Sequence, residues 1–216
     1  MERAICLAMG YVFGLFQTGY LYSKSKHMDI RNYGSGNAGS TNVLRVMGVK
    51  AGLIVFLGDA GKMILACLLT RILYAGQTEM LYVYLLYTGL GVILGHNYPF
   101  YMGFKGGKGI AASAGLLASL DWRVMLICLV VFVATVAITR FVSLGSIFVM
   151  ILFMAGMSYF AVQGSYGLGA AQVPEFCILA LIIGGLGIWR HHTNIKRLLA
   201  CLLYTSPSPR DMRRSR

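Results

Sequence analysis

Residues suited to anion chemistry fall in two clusters, each alternating glycine with polar or basic side chains. The stretch Tyr33–Arg45, YGSGNAGSTNVLR, sets Gly34, Gly36 and Gly39 among Ser35, Asn37, Ser40, Thr41 and Asn42, and ends in one cation, Arg45. Glycine lets a backbone turn tightly and come close to a ligand. Successive N–H groups in such a turn make an anion-binding concavity, and an arginine grips a phosphate bidentately. A helix begun over Thr41–Met47 would turn a positive N-terminus toward the same anion. The second cluster, Gly103–Gly109 (GFKGGKG), interleaves Lys105 and Lys108 with Gly106, Gly107 and Gly109. It is not a nucleotide P-loop. The spacing is one residue short of G-x4-G-K-[ST], and Gly109 stands where Ser or Thr would hold magnesium. The expectation is a loop that binds phosphate without a nucleotide. Membrane anchoring by positive charge would explain the lysines but not the glycines between them.

Two histidine–asparagine groupings accompany these clusters: His96 with Asn97, and His191 with Asn194 in the basic stretch RHHTNIKRLLA. The His-x4-Asp signature of glycerolipid acyltransferases is absent, because Tyr101, Lys196 and Arg197 follow His96, His191 and His192 at that distance. No Ser-His-Asp arrangement can be read, and no His/Cys group has zinc spacing. No acidic cluster calls for magnesium. No metal and no cofactor are expected. Cys6, Cys67, Cys128 and Cys177 lie in apolar segments without metal spacing and read as small buried hydrophobes.

The elements that must position these groups are membrane helices. The chain of 216 residues is 57% hydrophobic and 12% charged, with mean hydropathy +0.70, the composition of an integral membrane protein. Its net charge of +12 then reads as basic cytoplasmic loops and not as a nucleic-acid footprint. Apolar stretches run over residues 4–22, 51–71, 80–94, 109–120, 122–139, 144–162 and 174–189. The first has no small-residue cleavage site, so it reads as a retained helix and not a signal peptide. The stretch 109–120 is short for a span. Counting it as one places Lys24, Lys26, Arg31, Arg45, Lys50, Lys105, Lys108, Arg140, Arg190, Lys196 and Arg197 on one side, against Arg3, Arg71 and Arg123 on the other. The positive-inside rule therefore favours seven transmembrane helices in an all-α fold, with the N-terminus outside and the C-terminus cytoplasmic. Both glycine loops, the Arg140–Ser143 turn and the basic end then meet on the cytoplasmic face. Within the second span Asp59 and Lys62 are three residues apart, so they share a helix face and can pair.

Together, GSGNAGSTNVLR, GHNYPFYMGFKGGKGIA and HHTNIKRL resemble the three cytoplasmic motifs of PlsY, the bacterial acyl-phosphate:glycerol-3-phosphate acyltransferase family. The resemblance runs from Ala4 to Ala200 and includes Asp59–Lys62 and the Arg140–Ser143 turn. It implies transfer of a fatty acyl group from acyl phosphate to the 1-hydroxyl of sn-glycerol 3-phosphate, giving lysophosphatidic acid and phosphate. This is the first step of phospholipid synthesis, at the bacterial inner membrane. Ser35, Gly36, Asn37, Gly39, Thr41, Asn42 and Arg45 would bind phosphate and the glycerol backbone. Gly106, Gly107, Gly109 and Lys108 would hold a second phosphoryl group, with Lys105, His96 and Asn97 close by. Ser143, His191 and Asn194 would complete the pocket, with Ser35, Arg45, Lys108, Ser143, His191 and Asn194 nearest the chemistry. Expected partners are the two substrates and membrane lipid, with no nucleic acid and a monomeric chain. An organic-phosphate transporter is the competing class. It is disfavoured because no internal repeat is seen and the polar residues gather on one face. A structural subunit would leave the glycine loops unexplained.

The chain departs from the family pattern at His192 and Thr193, where an arginine and a polar or acidic residue are usual. It also lacks the Gly-x-Glu ending. Residues 201–216, CLLYTSPSPRDMRRSR, resemble a translated sequencing adapter over Cys201–Asp211 and are read as a non-native tail outside the single domain of residues 1–200.

Overall fold

The computed structural model describes residues 1–200, so the tail set apart above lies outside the described residues. Among these residues the fold is all helical. Ten α-helices run in order: α1 (Glu2–Leu15), α2 (Thr18–Lys24), α3 (Ser40–Met47), α4 (Val49–Leu73), α5 (Thr78–Asn97), α6 (Ile110–Leu120), α7 (Trp122–Thr139), α8 (Val142–Val162), α9 (Val173–Trp189) and α10 (His192–Leu199). Five stretches are long and apolar enough to cross a membrane: α1 with α2, α4, α5, α7 and α8. A sixth follows if α9 is counted with α10, from which it bends by 54°. The apolar α6 has 11 residues, ~16 Å of helix, about half a hydrocarbon core.

The helices pack by close backbone approach, as expected where lipid removes the hydrophobic drive between them. Gly10 and Gly14 on α1 meet Gly91 and Gly95 on α5, and a Cβ on any of the four would enter the partner's backbone. Between α1 and α2 the helix breaks at Phe16–Gln17. Carbonyls freed at that break and at the end of α5 do not stay bare. Gln17 Nε2 donates to the carbonyls of Gly14, Gly95 and His96 at 3.0–3.3 Å, and the Lys62 ammonium donates to those of Gly14 and Phe16. Lys62 also pairs with Asp59 at 3.1 Å, as their spacing on α4 predicts. The core runs along α4–α9 through Met63, Leu86, Leu116, Met150, Phe153 and Phe176. The exposed apolar faces of α4, α7 and α8 suit lipid.

Candidate active site

Four segments distant in sequence close around one cavity of about 880 Å³. The first wall is the loop of residues 34–39 and the start of α3. Gly34 and Gly36 take left-handed φ of 60° and 71°, the conformation glycine adopts without steric cost. Asn42, 2% exposed, ties this loop together. Its Oδ1 accepts from the Ser35 N–H at 2.9 Å, and its Nδ2 donates to the carbonyls of Tyr33 and Asn37 at 3.0 Å. Asn37 Oδ1 likewise accepts from the Gly39 N–H at 2.9 Å. The Asn42 amide is therefore spent on the loop. Ser35, Thr41 and Arg45 stay exposed and line the cavity.

The second wall is Lys108, Gly109 and the first residues of α6. Lys108 Nζ donates to Asn194 Oδ1, bridging this loop to α10. Burial, with Arg190, Arg197 and Arg45 around it, pushes the Lys108 ammonium down to about 8. Gly106 and Gly107 lie behind it. Their amides pair with the carbonyls of Asn97 and His96 at 3.1 and 3.0 Å. A Cβ at Gly107 would be 2.8 and 2.9 Å from the His96 Cε1 and Cδ2. These glycines seat the loop on the end of α5, and their N–H groups are not offered to a ligand.

The third wall is the α7–α8 turn, where Arg140 takes a left-handed φ of 61°. Ser143 there is buried, its Oγ without a partner among the described residues. The fourth wall is Arg190–Asn194 with Arg197. Arg190 Nη2 donates to the Gly107 carbonyl at 2.7 Å and stands over the Tyr98 ring. His191 Nδ1 lies 2.8 Å from the Gly187 carbonyl. A carbonyl only accepts, so Nδ1 carries the proton and Nε2 keeps a lone pair. Burial and the Lys108 ammonium push His191 down to about 4. At neutral pH it is an uncharged, weak base.

The walls thus bring together five cations, Arg45, Lys108, Arg140, Arg190 and Arg197, with the N-termini of α3 and α6. Phe56, Phe132 and Val142 add apolar surface. Such an arrangement is chemically suited to phosphate beside apolar surface.

A family model described as glycerol-3-phosphate acyltransferase matches residues 4–201. The chain belongs to the glycerol-3-phosphate acyltransferase family. Relatives of that name from Thermoanaerobacter sp. (strain X514) and Clostridioides difficile (strain 630) are 37% and 39% identical over 201 and 198 residues. The first alignment covers 93% of both chains, and the second covers 90% of this chain and 91% of the relative. The fold also matches the crystal structure of PlsY (YgiH), an integral membrane glycerol 3-phosphate acyltransferase, in its glycerol 3-phosphate form. There the TM-score is 0.80 and the identity 34%, over 94% of this chain and 95% of that one. The lysophosphatidic acid form of PlsY gives 0.78 and 33%. This family member is a multi-pass membrane protein.

Of the residues singled out in the acyltransferase sequence, Ser35, Gly36, Asn37, Gly39, Thr41, Asn42, Arg45, His96, Lys108, Gly109, Ser143, His191 and Asn194 line the cavity. Asn97, Lys105, Gly106 and Gly107 are not in its wall. Lys105 is exposed. Asn97 is fully buried, with neither amide atom partnered among the described residues. Arg190, Arg197 and Asp59 line the cavity without having been singled out for it. The run RHHTNIKR flagged the two arginines only as a basic end, and Asp59 reads in the sequence as the partner of Lys62 and not as a cavity residue.

The low Lys108 value sets a pH dependence. Above about pH 8 the free site loses this charge, so kcat/KM should fall there, while a bound phosphate favours the charged lysine and moves the limb in kcat upward. Lys108→Arg removes the limb, since arginine stays charged. A kcat/KM profile flat from about pH 7 to about 9 in the unsubstituted enzyme would contradict this assignment.

Proposed function

We propose that this cavity transfers a fatty acyl group from acyl phosphate to the 1-hydroxyl of sn-glycerol 3-phosphate. The observation that carries the reading is the convergence of both glycine loops, the α7–α8 turn and the basic end on one cationic cavity with apolar surface in its wall. Five cations and two helix N-termini suit two phosphates, one on each substrate. Arg45, Ser35 and Thr41 take the phosphate of the acceptor. Lys108 and the start of α6 take that of the donor. Ser143 and Asn194 orient the reacting groups. The acyl chain lies between helices, beside Phe56 and Phe132.

The hydroxyl oxygen attacks the acyl carbon, the bond from that carbon to the phosphate oxygen breaks, and inorganic phosphate leaves. The hydroxyl proton goes to a phosphate oxygen, whose second pKa is near 6. His191, held near 4, is a poorer acceptor. The protein contributes positioning and stabilisation of the phosphate charge, with no covalent acyl-enzyme.

Seven spans follow if α6 and α9 both cross, which sets the cavity on the cytoplasmic face of a bacterial inner membrane. The protein acts as a monomer there. Radiolabelled glycerol 3-phosphate supplied outside inverted vesicles with acyl phosphate should appear as labelled lipid. Label trapped free in the lumen would identify a transporter instead. Lipid formed equally well in right-side-out vesicles would overturn the orientation.

A further inference from the structure

Among the described residues, Asp59 is the one carboxylate in the cavity wall, beside five cations. It sits on α4, one turn after Phe56, and is 1% exposed. Its Oδ1 is fully engaged. It accepts from Thr18 Oγ1 at 3.0 Å and pairs with Lys62 Nζ at 3.1 Å. Lys62 in turn donates to His96 Nδ1 at 2.9 Å, and that nitrogen lies 3.7 Å from Asp59 Oδ1. Thr18 and Lys62 thus fix the carboxylate, and His96 in turn holds Lys62. Its Oδ2 is buried and has no partner among the described residues. A buried carboxylate oxygen left bare costs free energy, and a native site normally supplies it with a donor.

The donor cannot be a phosphate oxygen, which carries like charge. A neutral hydroxyl on a molecule whose phosphate sits at the arginines meets that requirement. The attacking hydroxyl is a poor candidate. It must face the donor's acyl carbon beside a phosphate dianion, and a carboxylate there would add repulsion. The remaining hydroxyl of a glycerol backbone fits both constraints. We propose that Asp59 Oδ2 accepts a hydrogen bond from the non-reacting 2-hydroxyl of the acceptor. That would make Asp59 the residue that selects a polyol phosphate. The proposal rests on glycerol 3-phosphate being the acceptor.

Three acceptors separate the possibilities on the unaltered protein. In 3-hydroxypropyl phosphate the reacting hydroxyl is kept and the 2-hydroxyl is missing. In dihydroxyacetone phosphate a ketone oxygen replaces it, bringing lone pairs against lone pairs. A site built to bind a hydroxyl rejects analogues lacking it strongly, so kcat/KM for glycerol 3-phosphate should exceed that for either analogue by at least about a hundredfold. Asp59→Asn turns an acceptor into a group that can donate to the ketone. It should raise the ratio of dihydroxyacetone phosphate to glycerol 3-phosphate by about tenfold or more, whatever it does to the overall rate. A merely structural Asp59 would lower both rates together. Turnover of 3-hydroxypropyl phosphate within about tenfold of glycerol 3-phosphate by the unaltered protein would overturn the proposal. An unchanged ketone-to-alcohol ratio in active Asp59→Asn protein would also overturn it. If Asp59→Asn does not fold, the comparison on the unaltered protein decides. No acylation of glycerol 3-phosphate by unaltered protein would sink the acceptor reading itself, and the proposal with it.

Discussion

Replacing Lys108 with alanine should lower kcat/KM by about ten- to a hundredfold, the cost of losing a charged hydrogen bond to a phosphate. Lys108 is the point where the second loop meets α10, through Asn194, and it lines the cavity. Its removal leaves Asn194 Oδ1 without that donor and takes one of five cations from the site. Lys24 is the control. It carries the same charge but lies outside both glycine loops, and its side chain is 49% exposed and pairs loosely with Asp29 at 3.6 Å. Such a surface pair contributes about 0–1 kcal/mol, so Lys24→Ala should leave kcat/KM within about threefold. Steady-state kinetics on the two variants decides. Small and equal losses would mean that Lys108, like Lys24, only orients the protein in the membrane.

Gly107→Ala is expected to abolish activity and to lower the melting temperature in detergent. The added methyl would land on the His96 ring. That ring cannot move aside, because it is buried and Lys62 holds its Nδ1 at 2.9 Å. Either the ring or the loop must shift, and overpacking of this kind costs about 1–3 kcal/mol. The loop carries Lys108, so even a small displacement moves the side chain proposed to hold a phosphate. Gly61→Ala on α4 is the matching control, since a Cβ there meets nothing within 4 Å. Alanine also favours helix by about 1 kcal/mol, so this variant should keep its activity and melt no lower. Equal behaviour of the two variants would show that the loop is not seated on His96.

How far the sequence could be read depends on whether the signal lay within one element or between two. Five of the seven apolar stretches were legible as helices long enough to cross a membrane, because hydropathy is a property of a contiguous stretch. The glycine loops stood out as polar islands in an apolar chain, and twelve of the proposed contacts around them do line the cavity together with Ser143 from the α7–α8 turn. The three-residue spacing of Asp59 and Lys62 correctly implied a pair. It carried no information about His96 or Thr18, which come from other helices, nor about which oxygen the pairing leaves bare. The same limit applies to Gly106 and Gly107. A glycine is needed both where a ligand approaches and where another segment of protein does, and only the packed structure shows that α5 is the neighbour. Gly10-x3-Gly14 and Gly91-x3-Gly95 are visible in the sequence, but that they pack on each other is a fact of tertiary structure. The helix over His192–Leu199 was missed because its basic residues stood out only as a charged cytoplasmic end.

The most direct measurement is acyl-donor selection by the purified protein. Labelled glycerol 3-phosphate is offered with the same fatty acyl group as its phosphate, its coenzyme A thioester or its acyl carrier protein thioester. The cavity described here should give labelled lysophosphatidic acid with acyl phosphate alone, releasing one inorganic phosphate per product. Omission of the acceptor should leave no acyl group on the enzyme. Lipid formed at comparable rates from either thioester would contradict the account, as would an acylated enzyme able to pass its acyl group to glycerol 3-phosphate.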